Sequence, residues 1–225
     1  PRLKYLGAGV IGTGDLALSS VKLEVVEFGD LCRKGLAHIR EAINAESQED
    51  FEKADKKLIR YEEITDNLER EVAVYLGEVT KHELSPSGAV RVKEFYRIIG
   101  ELESLGDSCE TIGKIIARAR AHDKTFTTDM KNKLEHLADL VDDAFEAMHV
   151  NLATPLDELQ DITNANQAEE NINGYRDILR EEHLANLEKE SYPYETGAFY
   201  MDVVNSLEKM GDFIINVSQS VFEAK

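Results

Sequence analysis

The sequence predicts an all-α protein made of two tandem antiparallel three-helix bundles. Three observations support this class. The composition combines 42% hydrophobic residues with only four prolines in 225 residues, which allows a packed core and long uninterrupted helices. The longest segments repeat apolar residues with the period of an α-helix. The two halves of the chain also match each other in sequence, which indicates a duplicated unit.

Turn-forming residues divide the chain into six segments, each predicted to be a helix. Ser47 followed by Asp50 predicts an N-cap at the start of the second helix. Thr154 followed by Pro155 predicts an N-cap at the start of the fifth. The predicted helices cover residues 15–46, 48–83, 88–122, 127–153, 155–189 and 195–224.

The third and sixth segments carry the clearest helical periodicity and also the strongest internal match. Leu102-Glu103-Ser104-Leu105-Gly106-Asp107 matches Leu207-Glu208-Lys209-Met210-Gly211-Asp212, at an offset of 105 residues. Three long helices joined by short loops pack in an up-down-up arrangement. We therefore expect residues 15–125 to form the first bundle and residues 126–225 the second. Residues 1–14 are rich in glycine, and we predict that they are a linker from an upstream segment.

The composition argues against several classes of function. A net charge of −18 repels nucleic-acid phosphates and anionic membrane surfaces, so we expect no nucleic-acid partner. No run reaches the roughly 18 apolar residues that a membrane span needs. Cys32 and Cys109 lie too far apart in the sequence for a CxxC motif. Motifs for nucleotide binding or nucleophilic catalysis are also missing, and we therefore expect no enzymatic activity.

Carboxylates spaced by four residues are the candidate functional feature, because residues i and i+4 of a helix face the same way. A solvated polar face explains any single pair, and like charges at this spacing cost about 0.2–0.5 kcal/mol. Their recurrence in corresponding helices favours a shared counter-ion. The pairs are Glu62 with Asp66, Glu103 with Asp107, and Glu208 with Asp212, while Glu169 and Asn173 occupy the matching positions of the fifth helix.

Oxygen-only ligands favour hard cations such as Mg, Ca, Mn or iron over a thiolate-type zinc site. We therefore predict divalent or iron cations as cofactors, without assigning the metal. The candidate metal ligands are Glu62, Asp66, Glu101, Glu103, Asp107, Glu169, Glu208 and Asp212.

At these residues the sequence resembles PhoU-like phosphate regulators, whose signature is a repeated Glu-x-x-x-Asp. The segment Arg180–Leu184, with the loop that follows to Gly197, resembles more specifically the cytoplasmic PhoU-like domain of bacterial sodium/phosphate cotransporters. Pro1–Leu6 and Leu16–Leu18 resemble the junction after the membrane part of those proteins. The resemblance covers about residues 16–224. It implies two three-helix bundles with metal clusters on acidic patches, acting as a non-catalytic regulator of phosphate uptake.

The same resemblance implies a partner and a location. The partner would be the membrane part of a sodium/phosphate transporter, in the same full-length chain, at the cytoplasmic face of the inner membrane. A free-standing cytoplasmic PhoU-like regulator is the first alternative. A carboxylate-bridged metalloenzyme is the second, with Glu146 and His149 as one Glu-x-x-His motif. The oligomeric state stays open, with a homo-oligomer among the alternatives.

The sequence departs from the family pattern at several positions. The family often has His after the signature Asp, where Ser108 and Phe213 stand here. In the second half, Asn173 and Ser206 replace acidic residues. Because the charge of the ligands helps to set cation affinity, we expect the first half to bind any metal more tightly than the second.

Overall fold

The computed structural model describes residues 3–6 and 14–225, and these residues form six α-helices without a β-strand. The all-α prediction is therefore confirmed. Within the described residues, none of the helices combines the length and the apolar character that crossing a membrane requires. The helices are α1 (Gly14–Asn44), α2 (Gln48–Val79), α3 (Pro86–Ala121), α4 (Thr128–Ala153), α5 (Thr163–Glu188) and α6 (Tyr194–Glu223).

Each set of three consecutive helices packs as a bundle. Helices α1, α2 and α3 all contact one another, and so do α4, α5 and α6. The apolar stripes point inward, so that large side chains such as Phe28, Ile98, Leu134 and Leu207 are fully buried. Burying a side chain of this size contributes roughly 1.5–3 kcal/mol. The prediction of two three-helix bundles is confirmed.

The two bundles meet along two seams, where α1 packs on α4 and α3 packs on α6. Each seam joins a helix to its counterpart in the other half, which is the pattern that an approximate twofold axis produces. Buried apolar side chains of both halves form one continuous cluster. The predicted boundary between residues 125 and 126 falls in the loop between α3 and α4.

The seam between α1 and α4 is held by arginine–carboxylate pairs. Arg33 donates from Nε and Nη2 to the two oxygens of Asp142, at 2.8 and 2.9 Å, and it also contacts Glu146. Such two-pronged pairs fix geometry better than single contacts do. Seven residues further along α1, Arg40 makes similar contacts with Glu135 and Asp139.

Replacing Arg33 by glutamine is expected to lower the free energy of unfolding by about 1 kcal/mol at pH 7, since the pair is partly exposed. The hydrogen bonds from Arg33 hold the pKa of Asp142 below its ordinary value of 3.8. A carboxylate with a lowered folded-state pKa stabilises the fold above its ordinary pKa, and this stabilisation disappears as the pH falls through the lowered value. Urea unfolding should therefore show the difference between parent and variant vanishing as the pH falls below 3.8 and through the lowered pKa of Asp142. The control is Lys53→Gln, which removes a more exposed ion pair with Glu49. A stability difference between the parent and Arg33→Gln that stays constant with pH would contradict the expectation.

The start of the fifth helix differs from the prediction, whereas the start of the second agrees with it. The Ser47 hydroxyl accepts a hydrogen bond from the backbone N–H of Asp50 at 3.0 Å, as expected of an N-cap. Thr154, in contrast, ends α4 instead of starting α5. The eight residues after it form a loop that buries Leu159, and α5 begins only at Thr163. The predicted start at residue 155 is therefore wrong, because a tertiary contact of Leu159 competes with helix formation.

The described part of the N-terminal segment is attached to α1. The backbone N–H groups of Lys4 and Tyr5 donate to one carboxylate oxygen of Glu24, at 2.9 and 2.8 Å. Glu24 is only 4% exposed, and Leu6 is also buried. The predicted linker over residues 1–14 lies in part outside the described residues, namely at 1, 2 and 7–13.

Candidate functional site

Two glycines set the spacing of the helices that carry the carboxylate pairs. Gly106 of α3 lies against Thr65 of α2, and Gly211 of α6 lies against Ile172 of α5. A Cβ atom at Gly106 would overlap the Thr65 hydroxyl and come 2.8 Å from Thr65 Cβ. A Cβ atom at Gly211 would come 2.9 Å from Ile172 Cδ1. The missing side chains allow close approach of the helices, and the two contacts are equivalent, so they align the two halves in space.

This alignment identifies which residues correspond between the halves. Thr65 matches Ile172 on the second helix of each bundle, and Gly106 matches Gly211 on the third. Counting from these residues defines two clusters. The first cluster consists of Glu62, Asp66, Glu69, Glu103 and Asp107, and the second cluster has Glu169, Asn173, Arg176, Glu208 and Asp212 at the same five positions.

In the first cluster the carboxylates of α2 and α3 act on one another. Burial raises the pKa of Glu103, and the negative charges of Asp107 and Glu69 raise it further. Burial also raises the pKa of Glu62, with contributions from Asp107 and from Glu110, which continues the acidic face of α3. Among the described residues, no Lys or Arg forms an ion pair with any member of this cluster. The first cluster therefore concentrates negative charge without an internal cation.

The second cluster is neutralised in part by its own side chains. Arg176 Nη1 donates to Glu208 Oε1 at 2.9 Å. Burial and the charge of Asp212 raise the pKa of Glu208, and the guanidinium opposes that rise. Asn173 donates through its amide nitrogen to Glu169. The two clusters share their positions in the fold but not their electrostatic character.

The eight predicted ligands are not all brought together. Seven of them fall into the two clusters, whereas Glu101 lies apart. Its Oε2 accepts a hydrogen bond from Asn216 of α6 at 3.2 Å, across the seam between α3 and α6. The physical reason is helix geometry, because two residues correspond to a rotation of about 200°. Glu101 therefore cannot face α2 together with Glu103.

Both clusters border one open groove between α3 and α6. The groove has a volume of about 680 Å³, and Asp107 and Glu208 lie in its wall. Hydroxyl groups and two cationic side chains complete a polar surface. These lining residues include Ser104, Ser108, Thr111, Arg118 and Lys209. A partner that entered the groove would meet a member of each cluster.

Sequence reasoning missed Glu69 and Arg176 as opposing members of the clusters. Glu69 continues the face of Glu62 and Asp66 at i+7, which is a signal that the spacing contains. Arg176 stands at the offset of 107 residues that also relates Asn173 to Asp66, so its position was available from the sequence. Its contact with Glu208 was not, because that contact depends on how α5 packs on α6.

The fit of a metal ion differs between the clusters. Within the residues described, no three His, Cys, Asp or Glu side chains are arranged to hold a metal ion directly. The first cluster still offers five carboxylates and a concentrated negative charge, which are the donors that a hard cation prefers. Its residues therefore fit such a cation by their chemistry, and binding would require rotation of their side chains. The second cluster does not fit, since Arg176 already contacts Glu208.

Comparison with known proteins agrees with this architecture. Residues 28–116 match the family model of the PhoU domain, and this range contains the whole first cluster. The fold matches the crystal structure of the phosphate transport system regulatory protein PhoU from Streptococcus pneumoniae with a TM-score of 0.76. The sequence identity is 17%, and the match covers 94% of this chain and 96% of that chain. It also matches the crystal structure of PhoU from Pseudomonas aeruginosa, with a TM-score of 0.71 and 14% identity over 93% and 97% of the two chains. No curated protein sequence matches this chain. The fold is therefore PhoU-like across both bundles.

Proposed function

We propose that this chain is a non-catalytic regulatory domain of phosphate transport, acting through the first cluster. The observation that carries the proposal is the PhoU-domain match over residues 28–116, since that range holds the five carboxylates of the first cluster, which form no ion pair with the described Lys and Arg side chains. The fold supports it further, because the Streptococcus pneumoniae protein that it matches is described as a regulator of a phosphate transport system.

The first cluster would hold a divalent or iron cation between α2 and α3. The bound cation would supply positive charge where the five carboxylates repel one another. Neutralising them would fix the second and third helices of the first bundle against each other. The role of the residues is then to bind and orient, and the mechanism is regulatory contact rather than turnover.

The membrane part of a sodium-dependent phosphate transporter is the partner that we propose, with this domain at its cytoplasmic face. The resemblance of Arg180–Leu184 and Leu16–Leu18 to the cotransporter domain supports this finer assignment. Control of a transporter requires different contacts with at least two of its conformations. The net charge of −18 disfavours attachment through anionic lipids, which bind polybasic segments. A direct or metal-bridged protein contact is therefore the mode of docking that we propose.

The two alternative functions differ in the support that they receive from the structure. A free-standing cytoplasmic PhoU-like regulator fits the geometry equally well, because the same fold and cluster serve either arrangement. The metalloenzyme alternative has less support, since its two candidate residues have structural partners in the seam between α1 and α4. Glu146 contacts Arg33, and His149 Nδ1 lies 2.7 Å from Asp30 Oδ1.

The test is phosphate uptake by cells that carry the full gene with Glu103→Gln and Asp107→Asn in the chromosome. Uptake of radiolabelled phosphate is measured with and without sodium, under phosphate excess. We expect sodium-dependent uptake to lose its restraint and to rise several-fold. Glu49→Gln with Glu71→Gln, which removes the same charge from exposed positions of α2, should leave uptake unchanged. A change confined to sodium-independent uptake would favour the free-standing regulator, and no change in either would contradict the proposal.

A further inference from the structure

The second cluster contains a guanidinium at the position where the first cluster has Glu69. We propose that Arg176 is a built-in counter-ion, which holds α5 to α6 and replaces a metal ion in the second cluster. The proposal concerns only the second bundle, and it rests on the proposed function, in which the first cluster holds a cation. It revises the expectation that both halves are metal sites of unequal strength.

The guanidinium of Arg176 lies in a sheltered contact between α5 and α6. Arg176 donates to Glu208 at 2.9 Å, and the two side chains are only 25% and 16% exposed. A charge-assisted hydrogen bond in such a sheltered place is stronger than the same bond in water. A metal ion that bound Glu208 would have to displace this contact and then lie beside a positive charge. The site therefore excludes cations by repulsion as well as by occupation.

The two clusters differ in formal charge. The first cluster has five carboxylates and a formal charge of −5. The second has three carboxylates and one guanidinium, which leaves −2. Lys209 Nζ lies 3.3 Å from Asp212 Oδ2, and its positive charge further reduces the net negative charge around the second cluster. Since the charge count of the ligands helps to set affinity for a hard cation, the second cluster is much the poorer site.

Asn173 stands in the second cluster at the position that Asp66 has in the first. Its amide nitrogen donates to Glu169, so this residue satisfies a carboxylate instead of adding one. Within the described structure, Asn173 Oδ1 is buried without a hydrogen-bond partner. One neutral carbonyl oxygen does not restore the charge of the missing carboxylate. Asn173 and Arg176 thus act together as the two residues that distinguish the second cluster from the first.

A functional asymmetry follows from this difference. The two bundles have the same fold, but only the first offers a cluster whose charge a metal ion could neutralise. Contact between α5 and α6 would then be independent of metal supply. Any metal-bridged contact with a partner would be confined to the first bundle.

The experiment converts the second cluster into a copy of the first. Metal-free protein is titrated with Mn²⁺ by calorimetry, and bound Mn²⁺ is followed by electron paramagnetic resonance. Asn173→Asp with Arg176→Glu is expected to add one bound Mn²⁺ per chain relative to the parent. Asn171→Asp with Arg180→Glu, which makes the same charge change at exposed positions of α5, should add none. Glu208→Gln with Asp212→Asn in the parent should leave the Mn²⁺ stoichiometry and affinity unchanged.

Two outcomes would overturn the proposal. One is a loss of bound Mn²⁺ in the Glu208→Gln, Asp212→Asn variant, which would show that the native second cluster holds metal. The other is a conversion variant that folds, as judged by circular dichroism, but gains no site. If the double substitution prevents folding, Arg176→Gln alone is expected to raise the Mn²⁺ affinity of the second cluster at least tenfold. An unchanged affinity in that variant would also contradict the proposal. Repeating the conversion in a background with Glu103→Gln and Asp107→Asn separates this result from the first cluster.

Discussion

Gly106→Ala is expected to destabilise the protein by about 2 kcal/mol. The new methyl group would overlap the hydroxyl of Thr65 and lie 2.8 Å from Thr65 Cβ, in the contact between α2 and α3. Overpacking of this kind costs typically about 1–3 kcal/mol, and it outweighs the gain of up to about 1 kcal/mol in helix propensity. For a chain of this size, the midpoint of thermal unfolding should fall by about 4–8 °C. Circular dichroism during heating measures it.

Other glycines of the chain provide matched controls for this prediction. A Cβ atom at Gly100, on the same helix, meets nothing within 4 Å. Gly100→Ala should therefore stabilise the protein by about 0.5–1 kcal/mol. Gly211→Ala should lie between the two, because it meets the flexible end of Ile172. If Gly106→Ala proved as stable as Gly100→Ala, the close approach of α2 and α3 at Gly106 would be contradicted.

Adding Mn²⁺ at about 100 times its dissociation constant is expected to raise the unfolding midpoint of the parent by about 5–10 °C. A ligand at that excess, binding only the folded state, contributes about 2.7 kcal/mol. For a chain of this size, each kcal/mol corresponds to roughly 2–4 °C. The expectation rests on the proposed metal site, since the cation would neutralise the repulsion among the carboxylates of the first cluster. Differential scanning calorimetry with and without Mn²⁺ measures it.

Asp107→Asn should have opposite effects on stability with and without Mn²⁺. Asp107→Asn removes a direct ligand and should abolish most of the Mn²⁺-dependent shift. In metal-free protein it should be neutral or stabilising by about 0.2–0.5 kcal/mol, because it relieves like-charge repulsion with Glu103. Glu71→Gln, at an exposed position of α2, should respond to Mn²⁺ as the parent does. Equal Mn²⁺ shifts in Asp107→Asn and the parent would mean that the cation binds elsewhere.

Local patterns were sufficient to predict most of the fold. Six helices, their grouping into two bundles and the N-cap at Ser47 follow from apolar periodicity, turn residues and the repeat at 105 residues. The helices and the cap depend on neighbours within one or two helical turns, and the grouping into bundles follows from the repeat. The start of the fifth helix could not be predicted in this way. It depends on Leu159, whose burial is decided by the packed core and not by adjacent residues.

The sequence by itself determined which carboxylates share a helix face, because the spacing of i and i+4 fixes that face before any packing occurs. Only the tertiary structure decided which faces meet. The contact of Gly106 with Thr65 sets the register between α2 and α3, and the equivalent contact in the second bundle places Arg176 at the position of Glu69. The charge of each cluster member follows from the sequence, but the contact of Arg176 with Glu208 joins two helices. That contact therefore arises from packing between α5 and α6, which no pattern within one helix specifies.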